Sequence, residues 1–488
     1  MRRVVRSLAL ASLALLALSV FLAPYRFVLG ALGVLLLALG AGLVTISRRD
    51  GATFLTLVVA LLLLVPENLV LVGPLKSVGN PAQLTGLFCL TLWSAARLLG
   101  LIGARRGHPV RWAALAFVLA TMSAFVAGQL RPLTLEEGAS LTRTLFLLAS
   151  CLGILLLSVD ALDDPDRLEL LVIRVVAIGG VAALIGLVEF LTDFSYRDTF
   201  VMPGLTPAVE IAAETRGDFS RISGAAAHPI EYAVTLAALT PVALHLALHA
   251  PTLATRRACR IAFVAMVLVV PLSLSRAGLL AEVIGLGLYA VHLSARARLN
   301  FVVIGLIGLG AFRSAVPGLL GTIRYLFSSA GQDSSISART NDYALIPGLM
   351  DGHWWFGRGL GTFVPTQYFF LDNQYLGSLL EGGTVGIVVF TALWVTGTCV
   401  ARGARHRSAE PHERGLAQAL VGSIVALGFA AVAFDEMSFR QTSFTLFLLV
   451  GIAGALWSAH RDQPRRWPSG AVREPEPAPS RALARRTP

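Results

Sequence analysis

The sequence predicts an all-α fold, a polytopic bundle of about fourteen transmembrane helices with two long external loops. Hydrophobic residues make up 55% of the chain, charged residues only 14%, and the mean hydropathy is +0.72. Soluble domains carry roughly a quarter charged residues, so most of this surface is expected to face lipid. Apolar runs long enough to cross a bilayer also recur along the whole chain.

The spanning segments are predicted from apolar runs of roughly 20 residues. They lie near residues 7–23, 27–46, 52–72, 84–103, 112–129, 144–160, 170–190, 229–250, 261–275, 277–294, 300–320, 384–401, 417–435 and 441–459. The third and fourth are the least regular, because Pro66, Pro74 and Pro81 interrupt that stretch.

Basic residues cluster in alternate loops and indicate the orientation of the bundle, because cytoplasmic loops carry an excess of Lys and Arg. The clusters are Arg2, Arg3 and Arg6; Arg48 and Arg49; Arg105, Arg106 and Arg111; Arg256, Arg257 and Arg260; Arg296 and Arg298; and Arg402, Arg405, Arg407 and Arg414. This parity predicts that both termini are cytoplasmic. The placement of the basic residues in these loops also explains the net charge of +11, so the charge does not indicate a nucleic acid partner.

Two predicted external loops, at 192–228 and 321–383, are much longer than the other external turns. Loops above roughly 15 residues in a compact protein are usually functional or disordered. The second loop is rich in Trp, Tyr, Phe and Gly, which argues against disorder. Candidate functional residues are therefore expected in these two loops. The tail at 463–488 is rich in Pro, Arg, Ala and Glu, and we expect it to be disordered and cytoplasmic.

Arginines stand at three places on the predicted external side. Arg216 and Arg221, with His228, precede the eighth segment in ETRGDFSRISGAAAHPIEYA. The fixed fork of donors on Arg suits the phosphate oxygens of an anionic headgroup. Snorkelling or an ion pair with Asp218 is the purely structural alternative.

Arg276 lies in SLSRAGLLAEVIG, in a turn too short to hold water. Ionisable groups at such depth are usually functional and face the bundle interior. An ion pair with Glu282 is the alternative, although six residues of helix place the two side chains on different faces.

The second loop holds Arg339, Arg358, Asp372, Asn373 and Glu381. Asp372 directly precedes a membrane helix, where a partly desolvated carboxylate can act as a base or cap the helix. The GRGLG stretch lacks the GxxxxGK[ST] pattern of a phosphate loop, so its glycines are expected to form tight turns. No cluster of His, Cys and Asp suggests a metal site.

Four stretches, in this order, resemble the O-antigen ligase and O-antigen polymerase superfamily of bacterial envelope proteins. They are RISGAAAHPIEYA, SLSRAG, ARTNDYALIPGLMDGHWWFGRGLGTF and DNQYLGSLLEGGTVG. The resemblance spans about residues 170 to 400, and the preceding helices match only in hydropathy. It divides the chain into N-terminal transmembrane helices at 1–169, a catalytic core at 170–400, C-terminal transmembrane helices at 401–462 and the tail at 463–488.

The resemblance implies a multi-pass glycosyltransferase of the bacterial cytoplasmic membrane that needs neither a metal ion nor a cofactor. Its donor would be an undecaprenyl-diphosphate-linked glycan and its acceptor a glycan or a lipid-linked molecule, with other polysaccharide-assembly proteins as further partners. By position, Arg221, Arg276 and Arg339 would hold the diphosphate, and Asp372 would activate the acceptor hydroxyl. The substrate-binding candidates are Arg216, His228, Arg358, Asn373, Tyr375 and Glu381.

Several alternatives remain open at this stage. Ligases that act on lipid A-core typically have His where this chain has Asp372, so the Asp-Asn pair favours a polymerase, and His228 or Glu381 are alternative bases. A transporter or flippase of lipid-linked sugars would need ionisable groups near the bilayer midplane, for which Glu282 and Arg174 are the candidates. The concentration of polar residues in two loops on one face favours catalysis over transport or a purely structural assembly role.

Overall fold

The structure is a computed structural model of the 488-residue chain. It describes residues 2–21, 26–47, 50–72, 79–103, 107–162, 164–192, 194–209, 214–216, 219–328 and 343–460. Arg339, Asp218 and the tail at 463–488 lie outside the described residues, so what the sequence predicts for them stays a prediction.

The described chain is mostly helical. The helices are α1 (Arg2–Phe21), α2 (Arg26–Ser47), α3 (Gly51–Leu64), α4 (Pro81–Leu98), α5 (Pro109–Gln129), α6 (Leu135–Ala161), α7 (Pro165–Thr192), α8 (Tyr196–Thr199), α9 (Pro229–His249), α10 (Leu253–Leu272), α11 (Arg276–Ala290), α12 (Ala295–Ala315), α13 (Leu319–Ser328), α14 (343–350), α15 (Gln374–Arg407), α16 (Pro411–Ala430) and α17 (Arg440–Ala459). Two antiparallel strand pairs complete it, β1 (Leu69–Leu71) with β2 (Leu205–Pro207) and β3 (Thr215–Arg216) with β4 (Phe219–Ser220).

The predicted all-α bundle is confirmed, and each of the fourteen predicted segments overlaps a helix. Within the described ranges, seven helices are long and apolar enough to cross a membrane: α5, α6, α7, α9, α12, α15 and α17. The number of crossings and the orientation stay predictions.

Two predicted boundaries are wrong. The third segment, 52–72, is helical only to Leu64, because Pro66 cannot continue the ladder of backbone hydrogen bonds and the chain goes on to β1. The second long loop ends at residue 373 instead of 383, because Asn373 caps α15 ten residues earlier than the apolar run suggests.

Contacts join alternate loops at one end of the bundle, which we call the loop end. It comprises the described residues of 65–80, 130–134, 193–228, 273–275, 316–373 and 431–439. The Glu67 N–H donates to the Ala225 carbonyl at 2.8 Å, and Arg131 Nε donates to the Arg358 carbonyl at 2.9 Å. These are the loops that charge parity predicts to be external.

The opposite end holds the remaining loops. There Arg111 pairs with Asp160, and the His460 Nε2 lies 3.1 Å from a carboxylate oxygen of Glu413. The grouping of loops at two ends therefore agrees with the alternation that the arginines indicate.

Helices α4 and α6 pack with their backbones in close contact, as small residues allow in membrane bundles. A Cβ placed on Gly153 would lie 2.3 Å from the Gly86 carbonyl oxygen and 2.5 Å from the Leu90 nitrogen. Backbone atoms cannot move aside as a flexible side chain can. Gly153 is therefore needed for this helix contact.

We expect Gly153→Ala to destabilise the protein although alanine favours an isolated helix by about 1 kcal/mol over glycine. Gly138→Ala on the same helix α6 is the matched control, because nothing lies within 4 Å of its Cβ position. Thermal unfolding in detergent should show a lower Tm for Gly153→Ala and an equal or higher Tm for Gly138→Ala. Equal shifts in the two variants would contradict the close packing of α4 and α6.

Candidate functional site

Arg221 is buried at the loop end, directly after β4, with a side chain 7% exposed. Its Nε donates to the Ser273 carbonyl at 3.1 Å, and its Nη1 forms an ion pair with Glu214. Its Nη2 is buried and has no hydrogen-bond partner among the described residues. Burial lowers the pKa of Arg221, the charge of Arg216 acts in the same direction, and Glu214 opposes both. The site thus contains a guanidinium with one buried donor group that has no hydrogen-bond partner among the described residues.

Arg216 and Arg221 both bind the turn that leads into α11. Arg216 Nη1 donates to the Leu274 carbonyl at 3.1 Å, next to the Ser273 carbonyl that Arg221 binds. Leu274 has φ of 53°, a left-handed conformation that is uncommon for a branched side chain and costs free energy. Arg276 is the first residue of α11, two residues further on. The structure therefore places Arg216 and Arg221 on the turn that leads to Arg276. The predicted grouping of Arg221 and Arg276 with Arg339 stays a prediction, because Arg339 lies outside the described residues.

Glu214 connects Arg221 to His228. The His228 Nε2 lies 2.8 Å from the Glu214 carboxylate, and its Nδ1 accepts the Ile230 N–H at 3.1 Å, which caps α9. The hydrogen bond from His228 lowers the pKa of Glu214, and the charge of Arg221 contributes. Because Nδ1 accepts and Nε2 donates, neither ring nitrogen keeps a lone pair for an acceptor proton. This geometry argues against His228 as the base and for a positioning role.

A cavity of about 460 Å³ opens beside Arg221. Arg197 and Glu214 also line it, together with the end of α7 and residues 315–317 after α12. Arg197 is 7% exposed, and its Nη1 donates to the Ala227 carbonyl at 3.4 Å. Arg197 was not predicted from the sequence, although it is an arginine of the first long predicted external loop, as Arg216 is.

Asp372 lies half-buried two residues before α15. The adjacent Asn373 caps this helix, since its Oδ1 accepts the N–H groups of Tyr375 at 3.0 Å and Leu376 at 3.2 Å. The capping role that was the structural alternative for Asp372 therefore belongs to Asn373. This contact gives Asn373 a structural function, and its predicted substrate contact stays a prediction.

Asp435 is a second carboxylate near Asp372, and the sequence analysis missed it. Burial raises the pKa of Asp435 to about 6, the charge of Asp372 adds to the rise, and a hydrogen bond from Ser438 opposes it. The loop that carries Asp435 is fixed to α15, because the Gln374 N–H donates to the Ala431 carbonyl at 2.8 Å. Its only sequence signal is an acidic pair, Asp435 and Glu436, between the last two apolar runs.

Three predicted substrate-binding residues are engaged in the fold, and none lines the cavity beside Arg221. Arg358 Nη2 donates to the Tyr368 hydroxyl at 2.8 Å, and the Tyr375 hydroxyl donates to the Gly428 carbonyl at 2.6 Å. Glu381 accepts the Phe363 N–H at 3.4 Å and lines a separate cavity of about 80 Å³. Their assignment to substrate binding gains no support from these contacts.

Helix α15 is broken at Gly383, which has φ of 66° and ψ of −163°. The break leaves backbone groups unpaired, and the segment 354–359 supplies their partners. The Thr384 N–H donates to the Trp354 carbonyl at 2.8 Å, and the Arg358 N–H donates to the Leu380 carbonyl at 2.8 Å. The GRGLG glycines adopt positive φ, which confirms that they form tight turns.

These features define a multi-helix membrane protein with buried arginines and paired carboxylates at one end of the bundle. The family model described as O-antigen ligase matches residues 261–391. This match confirms the resemblance to the O-antigen ligase and polymerase superfamily, and it includes Arg276 and Asp372 but not Arg221 or Asp435. A search of curated proteins found no matching relative.

We expect Gly383→Ala to destabilise the loop end, because a Cβ there would lie 2.3 Å from the Trp355 carbonyl group. The backbone conformation alone costs about 1–3 kcal/mol for a residue other than glycine. Gly382→Ala is the control, since nothing lies within 4 Å of its Cβ position. Tm and limited proteolysis of the 351–373 segment should both report the difference. Unchanged stability in Gly383→Ala would show that the break does not require glycine.

Proposed function

We propose that the chain is a glycosyltransferase, a polysaccharide polymerase or ligase, that transfers a glycan from undecaprenyl diphosphate to an acceptor hydroxyl. The transfer takes place at the outer face of the bacterial cytoplasmic membrane. The family match supports a lipid-linked glycan as substrate. The observation that carries the proposal is the buried Arg221 Nη2, a donor without a described partner beside a cavity that Arg197 also lines.

The arginines stabilise the leaving group. When the bond between the anomeric carbon and the diphosphate oxygen breaks, negative charge develops on the diphosphate. Arg221 and Arg197 in the cavity wall, with Arg216 and Arg276 at the adjacent turn, are placed to neutralise this charge by donating hydrogen bonds. In this mechanism guanidinium groups do the work that Mg²⁺ does in many phosphate-transfer enzymes, and no metal ion is needed.

The carboxylates of Asp372 and Asp435, at the part of the loop end next to α15, activate the acceptor hydroxyl. Asp372 takes the proton of the acceptor hydroxyl while its oxygen attacks the anomeric carbon opposite the diphosphate. Asp435 is a positioning residue, because it adds a second carboxylate that interacts electrostatically with Asp372. An Asp at this position instead of the His of lipid A-core ligases favours a polymerase.

Transfer from a purified lipid-linked oligosaccharide to an acceptor, with and without EDTA, is the direct test. We expect transfer to continue in EDTA. Loss of transfer in EDTA that added Mg²⁺ restores would contradict the arginine-only mechanism. Absence of transfer with polyprenyl-diphosphate-linked donors in general would contradict the proposed function.

We expect Arg221→Ala to lower kcat/KM by about 10²-fold or more, the usual effect of removing one donor to a developing anion. Arg221→Lys should lose less, because it keeps the charge but not the planar fork. Arg324→Ala, at an exposed arginine of α13, is the control and should keep normal kcat/KM. Circular dichroism and Tm would identify a folding defect. A well-folded Arg221→Ala variant with normal kcat/KM would refute the diphosphate site.

The pH dependence tests the carboxylate pair. Below pH 6 Asp435 is protonated, so the carboxylate pair loses the charge of Asp435, and kcat should fall with a midpoint near pH 6. Asp435→Asn should have the low rate at every pH and no transition near pH 6. Asp351→Asn, at an exposed carboxylate, should keep the wild-type profile. A transition near pH 6 that persists in Asp435→Asn would exclude this role.

A further inference from the structure

The outer face of α7 carries a row of exposed apolar side chains, Val181, Leu184, Val188 and Leu191. Their spacing of three and four residues places them on one face of the helix. With a rise of 1.5 Å per residue, the row covers roughly 15 Å and ends at the loop end. The row therefore runs from the middle of α7 toward the cavity that Arg197 and Arg221 line.

The same face is concave, because the chain after α7 folds back against it. A groove of about 230 Å³, which we call the α7 groove, is lined by Val181, Leu184, Ile185, Val188, Phe194 and Tyr196. Tyr196 is held in place by its hydroxyl, which donates to the Leu64 carbonyl at 2.7 Å, and by its N–H, which donates to Glu189 at 2.9 Å. The wall of the groove is therefore a fixed part of the fold.

The α7 groove adjoins the cavity beside Arg221. Phe194 lines both, and Leu191 lines the cavity at the end of the apolar row. Along this line the lining changes from mostly apolar side chains to the charged residues Glu189, Arg197, Glu214 and Arg221. A molecule that follows it would need a hydrocarbon part and an anionic part in the same order.

The α7 groove opens on the outside of the described bundle, because Val181, Leu184 and Val188 are exposed. The end of α12 lines the cavity with residues 315–317, and no residue of α12 is buried in the described structure. A lipid can therefore approach the groove laterally, without passing through the helix bundle.

We propose that the α7 groove binds the first isoprene units of the donor's polyprenyl chain, with the diphosphate at Arg221. The inference rests on the proposed function and names the part of the site that recognises the carrier lipid. Arg197 and Arg221 both line the cavity, so a diphosphate, which has more oxygens than a single phosphate group, can accept hydrogen bonds from two guanidinium groups.

Photo-cross-linking tests binding without relying on activity. The probe is a polyprenyl diphosphate with a benzophenone near the diphosphate end of its chain, added to the purified full chain in nanodiscs. Peptide mapping should place the label between residues 181 and 194. Unlabelled polyprenyl diphosphate should compete at least 10-fold better than phosphatidic acid. Labelling elsewhere, or equal competition by phosphatidic acid, would overturn the proposal in favour of ordinary membrane lipid.

A groove-filling variant tests its use in transfer. Leu184→Trp should raise KM at least 10-fold for an undecaprenyl-linked donor, leave kcat unchanged, and change KM less than twofold for a donor with an ethyl group in place of the polyprenyl chain. Val264→Trp, at an exposed position of α10, is the control for a large residue facing lipid. Equal effects on both donors, or on both variants, would refute the groove. Wild-type protein inactive with both donors would refute the proposed function, while cross-linking would still decide the groove.

Discussion

The contacts of the Arg221 guanidinium hold the loop end together. One nitrogen binds the carbonyl of Ser273 in the turn before α11, and a second pairs with Glu214, which in turn binds the His228 cap of α9. The first long loop, α9 and the α10–α11 turn therefore depend on one side chain. A buried charge without such partners costs several kcal/mol, so these contacts allow a cation to stay at this position.

The cationic and acidic parts of the site are joined by the loop at 431–439. The ring of Phe439 lies 6.0 Å from that of His228, on the arginine side. The N–H of Met437 donates to the Gln374 side chain at 2.6 Å, at the start of α15. Residues from both halves of the chain therefore share one rigid connection. The separation that a substrate would have to span is therefore set by these two contacts of the 431–439 loop.

The apolar runs predicted nearly every helix, because a long apolar segment in lipid must satisfy its backbone internally and the helix does so. The break at Gly383 was not predictable, since its backbone partners come from a segment about 25 residues away in the sequence. Asp435 was missed for the same reason. Its pKa depends on burial and on Asp372, and no local pattern records either. The arginines were singled out from the sequence because cations on the side predicted to be poor in positive charge are rare.

The ion pair between Arg221 and Glu214 sets the charge of the site before a substrate binds. Glu214 is more exposed than Arg221, 38% against 7%, and its pKa is lowered by His228 and Arg221, so it is ionised at neutral pH. The pair balances the charge of Arg221 without using its Nη2. In the mechanism we propose, an arriving diphosphate therefore does not have to displace the carboxylate. It would bind the remaining donor, and the low dielectric of the cavity would strengthen that hydrogen bond as the leaving group gains charge.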